Sequence, residues 1–260
     1  MANGAVIGVL SLQGGFREHE AALRRAGACP REVRQASHLN GVQGLVIPGG
    51  ESTTMALVAQ RWGLEPELRS LASSGTPVWG TCAGLILLAD SALNMKEGGQ
   101  SLVGGLHVGV SRNFFGAQNE SFEATLPAPR QLTELGGSES FPAVFIRAPA
   151  ITAVGDGVEV LAQLPRSGER ESPLPVAVRQ QNLLATAFHP ELTSDNRWHT
   201  LFARMCKHAK TYELIQTANS EPLMQQQLEI PSKAYEEGRP ADLPVFSTSP
   251  AAAGKPGATA

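Results

Sequence analysis

The chain has 260 residues, 42% of them hydrophobic, enough to bury a full core as one large domain or as a domain with appendages. A net charge of −3 and a pI near 6.1, with basic residues scattered, give no electrostatic reason to expect nucleic acid or an anionic membrane as partner. Nor does any apolar run approach the roughly 18–20 residues of a transmembrane helix, and the first dozen residues lack the basic start and cleavage site of a signal peptide. Three cysteines (Cys29, Cys82 and Cys206), none in CxxC spacing, suit a reducing, cytosolic setting rather than a disulfide framework or a structural zinc site.

Residues 6–12 form an apolar run that ends at Gln13-Gly14-Gly15 and reads as a core strand. Residues 16–26 carry charges on one face and Phe16, Ala22, Leu23 and Ala26 on the other, and stop at Gly27 as a helix does. A short strand is expected at 31–34, and a buried strand at 44–47 ends at Pro48-Gly49-Gly50. Ser52 is placed to cap a helix running through Met55 to Trp62, and a further helix covers 65–74. An apolar strand at 77–80 leads into Thr81-Cys82-Ala83-Gly84, and a helix-like run from Leu85 to Ala89 follows. This alternation argues for a parallel sheet covered by helices on both faces.

From 101 to 190 the pattern changes to successive strands, expected at 107–112, 122–126, 143–147, 158–164, 176–179 and 183–188. Gln180-Gln181-Asn182 joins the last two as a hairpin turn, and 128–140 and 165–173 read as polar surface loops. A closing helix is expected from Thr193 to about Tyr212, with Trp198, Leu201, Phe202 and Met205 at helical spacing. Beyond it periodicity is lost. A Gln225-Gln226-Gln227 run and scattered prolines among Ser, Ala and Gly make 214–260 a disordered tail behind a domain of residues 1–213.

Cys82 stands in a Gly-x-Cys-x-Gly turn between strand and helix, the layout of a nucleophile elbow. The glycines let the backbone turn sharply, and the helix start favours a thiolate. His189 and Glu191, at the end of the last strand, would project from one face of an extended chain, as suits a carboxylate orienting an imidazole. Pro48-Gly49-Gly50-Glu51-Ser52 ends a strand and opens a helix, so its N–H groups can serve an oxyanion or a carboxylate. No Gly-Lys-Ser/Thr follows, which leaves a phosphate loop unsupported.

Through these segments the chain resembles the class I, triad-type glutamine amidotransferases. Within them it is similar to the glutaminase subunits of pyridoxal 5′-phosphate synthases. The resemblance rests on Gly8-Val9-Leu10-Ser11-Leu12-Gln13-Gly14, Arg17-Glu18-His19, Pro48-Gly49-Gly50-Glu51-Ser52-Thr53-Thr54-Met55 and Gly80-Thr81-Cys82-Ala83-Gly84. Arg112-Asn113 with Phe115-Gly116, Val144-Phe145-Ile146-Arg147-Ala148-Pro149 and Phe188-His189-Pro190-Glu191 continue it in order, across roughly residues 5–205.

What the resemblance implies is a flavodoxin-like three-layer α/β core, mostly parallel with added antiparallel strands, that hydrolyses L-glutamine. Cys82 would be the nucleophile, His189 the acid and base, and Glu191 its orienting carboxylate. Gly49, Gly50 and Ala83 would supply the oxyanion hole, and Gly50, Glu51, Ser52, Arg112, Ile146 and Arg147 would bind glutamine. Gln13 would couple partner docking to the Gly49-Gly50 peptide. The partner implied is a (β/α)8 synthase subunit that receives the ammonia; no metal or bound cofactor is implied. His19 is expected on a helix near the partner surface, and His38, His107, His199 and His208 as solvated or structural. Two other readings stay open at this point: a glutaminase serving another synthase, and a catalytically silent regulatory subunit.

Overall fold

The computed structural model describes residues 4–93, 100–112, 114, 121–165 and 172–213. The expected tail at 214–260, most of the loop at 165–173, and Asn113 and Phe115-Gly116 lie outside the described residues. The first half of the chain forms β1 (Val6–Leu10), α1 (Phe16–Arg25), β2 (Cys29–Val33), β3 (Gly44–Ile47), α2 (Ser52–Arg61), α3 (Glu65–Ser73), β4 (Val78–Thr81) and α4 (Ala83–Leu88). Then come β5 (Ala89–Leu93), β6 (Leu106–Ser111), β7 (Phe122–Pro127), α5 (Arg130–Thr133), β8 (Ser140–Phe145) and β9 (Ala150–Val154). The chain closes with β10 (Glu159–Leu164), β11 (Leu174–Gln180), β12 (Leu183–Thr186) and α6 (Arg197–Lys207).

A seven-stranded sheet takes the order β10-β11-β12-β4-β3-β1-β2. β2, β1, β3, β4 and β12 pair in parallel, and β11 runs antiparallel to both its neighbours. The expected mostly parallel sheet is thus present. The chain steps one way from β1 to β2 and the opposite way from β3 to β4. Right-handed crossovers therefore place α1 on one face and α2 and α3 on the other. α6 packs on α1 and β1, while α4 packs on β3, β4 and α2. With both faces covered, Ile7, Val9, Leu45, Ile47, Val78 and Trp79 are buried, which explains why these strands read as continuous apolar runs. Among the described residues no helix is long and apolar enough to cross a membrane.

The reversal of direction between β1 and β3 opens a crevice at the carboxyl edge of the sheet. The turns after β1, β3, β4 and β12 all emerge there, and they carry Gln13, Gly49-Gly50, Cys82 and His189.

Several boundaries differ from expectation. β5 and β9 join β6 in a three-stranded sheet that the sequence did not announce, because Ala89–Leu93 continues straight from α4 with half its side chains exposed. α5 forms within the expected loop at 128–140. The closing helix starts only at Arg197, where the Asp195 carboxylate accepts from the Arg197 N–H (3.0 Å) and pairs with its guanidinium. It ends at Lys207, and Tyr212 returns to donate its N–H to Val42 O (2.7 Å) just before β3.

Candidate active site

Cys82 sits between β4 and α4 with φ +49° and ψ −102°, a conformation a non-glycine residue adopts only when its surroundings enforce it. The enforcement is steric and local. A Cβ on Gly80 would overlap the Gly84 backbone, and one on Gly84 would overlap the Ile47 carbonyl of β3. Only glycine on each side lets the turn close against the sheet. The Cys82 N–H donates to Thr186 O (2.8 Å) on β12, and Sγ lies 3.9 Å from the Ile146 carbonyl.

His189 follows β12 and is fixed by its own N–H, which donates to Val144 O on β8 (2.8 Å). Its Nδ1 is 2.7 Å from Glu191 Oε1. The extended geometry expected for this pair is not what occurs. Pro190–Leu192 is a 3-10 turn with Pro190 at its first position, where the fixed φ of proline fits, and the two side chains meet across that turn. Burial opposes charge on His189 more than any other influence. Hydrogen bonds and electrostatic attraction from Cys82 and Glu191 together outweigh it and raise the imidazole to about 10. Burial likewise works against the charge on Glu191, yet His19 and His189 hold that carboxyl below its usual range.

The loop after β3 faces this pair. Gly49 lies against the His189 ring and the Cys82 Cβ, so a side chain there has no room. Its carbonyl accepts from the Gly15 N–H (3.1 Å), and the Glu51 N–H donates to Gln13 Oε1 (2.6 Å). The β1–α1 turn therefore grips the loop at two points. In a trans peptide the Gly50 N–H points opposite to the Gly49 carbonyl, away from Gly15. Ala83 is the first residue of α4, and its N–H has no acceptor within the helix.

The expected cap of α2 is corrected. Glu51 rather than Ser52 caps it, accepting from the Thr54 N–H (2.7 Å) and the Thr53 N–H (3.3 Å). Its longer side chain folds back onto the helix start, while Ser52 enters the first turn and donates to Gln100 Oε1 (3.1 Å). Burial opposes the Glu51 charge, but the bonds from Thr54 and Thr53 prevail and bring the carboxyl to about 2. Arg112 is held by Glu51 Oε1 (3.2 Å) and Gln100 Oε1 (3.1 Å). Arg147, after β8, is exposed and has φ +45°.

Every residue expected to serve as nucleophile, base, oxyanion donor, glutamine contact or partner coupling lines one cavity of about 490 Å³: Cys82, Ala83, His189 and Glu191 with Gly49, Gly50, Glu51 and Ser52, and Gln13 with Arg112, Ile146 and Arg147. Glu18, Ile86 and Leu192 line it as well and were not picked out by role. Gln100 was missed too, and an isolated Gln in an aperiodic segment gave no signal.

The larger miss is behind Glu191. His19 is not at a surface. It is fully buried, with Nδ1 2.9 Å from His199 Nε2 and Nε2 3.1 Å from Thr81 Oγ1. Helical spacing held the clue, since position 19 shares a face with Phe16, Ala22, Leu23 and Ala26. His199 is buried as expected of a structural histidine, whereas His107 and His208 are exposed. Among the described residues no cluster of His, Cys, Asp or Glu is placed to hold a metal.

Residues 9–208 match the model of the SNO glutamine amidotransferase family. The chain is 49% identical over 257 residues to a probable pyridoxal 5′-phosphate synthase subunit PDX2 of Arabidopsis thaliana, covering 92% of this chain and 99% of that protein. It is 50% identical over 209 residues to the pyridoxal 5′-phosphate synthase subunit PdxT of Streptomyces griseus, covering 80% and 98%. A solved structure described as a glutamine amidotransferase matches with a TM-score of 0.66 and 46% identity, covering 78% of this chain and 99% of that one. The Arabidopsis match exceeds what residues 1–213 alone could supply, so part of the C-terminal extension has a counterpart there, whereas the Streptomyces match spans only 80% of this chain.

Proposed function

The chain belongs to the SNO glutamine amidotransferase family, and from that premise we propose that it hydrolyses L-glutamine and delivers the ammonia to a pyridoxal 5′-phosphate synthase partner. The observation that carries this reading is the joining of Cys82, His189 and Glu191 in one cavity with a nucleophile elbow and the first backbone N–H of α4.

In this reading Cys82 Sγ attacks the side-chain amide carbon of glutamine. The resulting oxyanion takes hydrogen bonds from the Ala83 N–H and from the Gly49-Gly50 segment. His189, raised to about 10, holds a proton at neutral pH and gives it to the departing ammonia. A thioester remains. His189 then takes a proton from water, which attacks the thioester and frees glutamate and the thiol. Glu191 Oε1 keeps the imidazole turned so that Nε2 faces the sulfur.

The far end of the substrate carries both charges. The Glu51 carboxylate and the Arg112 guanidinium stand side by side at 3.2 Å, and Arg147 lies on the same cavity wall. An arginine suits the α-carboxylate, and the anionic Glu51 suits the α-ammonium group. Gln13 grips the Glu51 N–H, so a partner pressing on the β1–α1 turn would move the oxyanion loop with it. That coupling predicts lower partner stimulation in Gln13→Ala; unchanged stimulation would refute it.

The ammonia acceptor is a separate (β/α)8 synthase subunit in this proposal, supported by the synthase-subunit names of the relatives. A cytosolic site of action fits the three free cysteines. The deciding experiment measures glutamate and ammonia release with and without the barrel subunit, for wild type and Cys82→Ala. Release by wild type with its partner, abolished in the variant, is expected. No release by wild type with its partner would leave the silent-subunit reading standing instead.

A further inference from the structure

The catalytic carboxylate has a second oxygen to satisfy. Glu191 Oε1 is engaged by His189, but Oε2 is buried and, among the described residues, receives no hydrogen bond of good geometry. A buried anionic oxygen left this way is costly. His19 Nε2 lies 3.3 Å away, on a ring that is itself fully buried. The same Nε2 lies 3.1 Å from Thr81 Oγ1, on the residue directly before the nucleophile.

The rest of the network assigns the proton. Burial is the dominant influence on His19 and lowers it despite the charge of Glu191, so the ring is neutral and carries one N–H. Placing that hydrogen on Nε2 serves both Glu191 and Thr81, and makes Nδ1 an acceptor. Its partner, His199 Nε2 at 2.9 Å, must then be the donor, and His199 Nδ1 keeps a bare lone pair, consistent with its lack of a partner. Burial likewise keeps His199 neutral. Trp79 packs edge-on against both rings and blocks their rotation, with centroids 5.6 Å from His19 and 4.9 Å from His199.

We propose that His19, with its tautomer fixed by His199, is a positioning residue for the triad: its Nε2 proton, held by Thr81 Oγ1, lies against Glu191 Oε2 at 3.3 Å and ties that carboxylate electrostatically to the Thr81–Cys82 elbow. It touches neither substrate nor sulfur. Its effect is to hold Glu191 ionised and in one rotamer as His189 becomes an imidazolium. This role rests on the assignment of Cys82, His189 and Glu191 as the catalytic triad.

The test compares His19→Phe, which fills the ring volume without a donor, with His19→Gln, whose amide nitrogen returns a donor near the Nε2 position. Two readouts are taken on the complex with the synthase subunit: steady-state glutamine turnover, and the downfield proton resonance of His189 Nδ1–H in the unliganded state. His19→Phe is expected to lower kcat about tenfold to thirtyfold with KM within about twofold, as loss of a polar contact to a charged group implies. The resonance should move upfield. His19→Gln should recover kcat to within about threefold of wild type and restore the resonance. Wild-type turnover and an unmoved resonance in His19→Phe would overturn the proposal, as would a Gln variant no better than Phe. If His19→Phe does not fold, His19→Asn, whose amide stops near Nδ1, replaces it with the same expectations. A wild type without turnover would count against the glutaminase reading alone, because the resonance still reports on the contact between His19 and Glu191.

Discussion

Gly49 gives the sharpest handle on the geometry, because nothing about its backbone demands glycine: its φ is not in the left-handed region. What demands it is contact. A Cβ added there would overlap His189 Cε1, stand 3.0 Å from His189 Nδ1 and sit 3.3 Å from the Cys82 Cβ. Ordinary contact requires the imidazole to retreat by about an ångström, and a misplacement of that size in a reacting group costs about a hundredfold. Gly49→Ala is therefore expected to lower kcat for glutamine hydrolysis by about a hundredfold, roughly 2.7 kcal/mol of barrier, with far-ultraviolet circular dichroism unchanged. KM should move little, because Glu51, Ser52 and Arg112 are held by other partners. The assay is glutamate formation in the presence of the synthase subunit. A folded Gly49→Ala protein with kcat within threefold of wild type would show that His189 and Cys82 do not work in the arrangement described.

Glu191→Gln should lower kcat by about 10³- to 10⁴-fold with little change in KM, since an amide can hold His189 in the wrong tautomer; steady-state kinetics on the complex decides it. Glu51→Gln should raise KM for glutamine about tenfold. It should also cost about 1 kcal/mol or less of stability, as loss of a half-exposed helix cap does. Because the folded state lowers this carboxyl to about 2, that stability is fully present above the ordinary carboxylate range near 4.5 and is lost as pH falls toward 2. Denaturant midpoints of wild type and Glu51→Gln should therefore differ at pH 7 and converge near pH 2. Gly84→Ala should destabilise the fold by about 2–3 kcal/mol, because its Cβ would meet the Ile47 carbonyl in the sheet, where neither side can yield; urea unfolding measures it.

The sequence carried the site further than it carried the fold around it. The Gly-x-Cys-x-Gly turn declared the elbow because half of the steric need is local: Gly80 meets the backbone of Gly84 four residues on, although the limit on Gly84 itself is set by Ile47 of β3, distant in sequence. The parallel core strands were legible because burial on both faces makes them uniformly apolar. β5 and β9 were not, since their side chains are half exposed and their pairing is set by β6, distant in sequence. The cap of α2 was misplaced by one residue, as Glu51 acts through a side chain long enough to fold back on the helix. The relation of His189 to Glu191 was right in partners but wrong in path, because an i, i+2 spacing fits a 3-10 turn as well as a strand. His19 was misjudged because a histidine on an amphipathic helix looks like surface until α6 brings His199 against it.

In the proposed reaction Cys82 forms a covalent bond to the glutamine side chain. Acid-quenched turnover of the complex, followed by intact-protein and peptide mass spectrometry, tests it directly. The expected result is a mass increment of one γ-glutamyl group, mapped to the peptide bearing Cys82, removed by thioester-cleaving hydroxylamine and absent from Cys82→Ala. Glutamine hydrolysis that proceeds undiminished in Cys82→Ala, or a glutamyl adduct on any other residue, would contradict it.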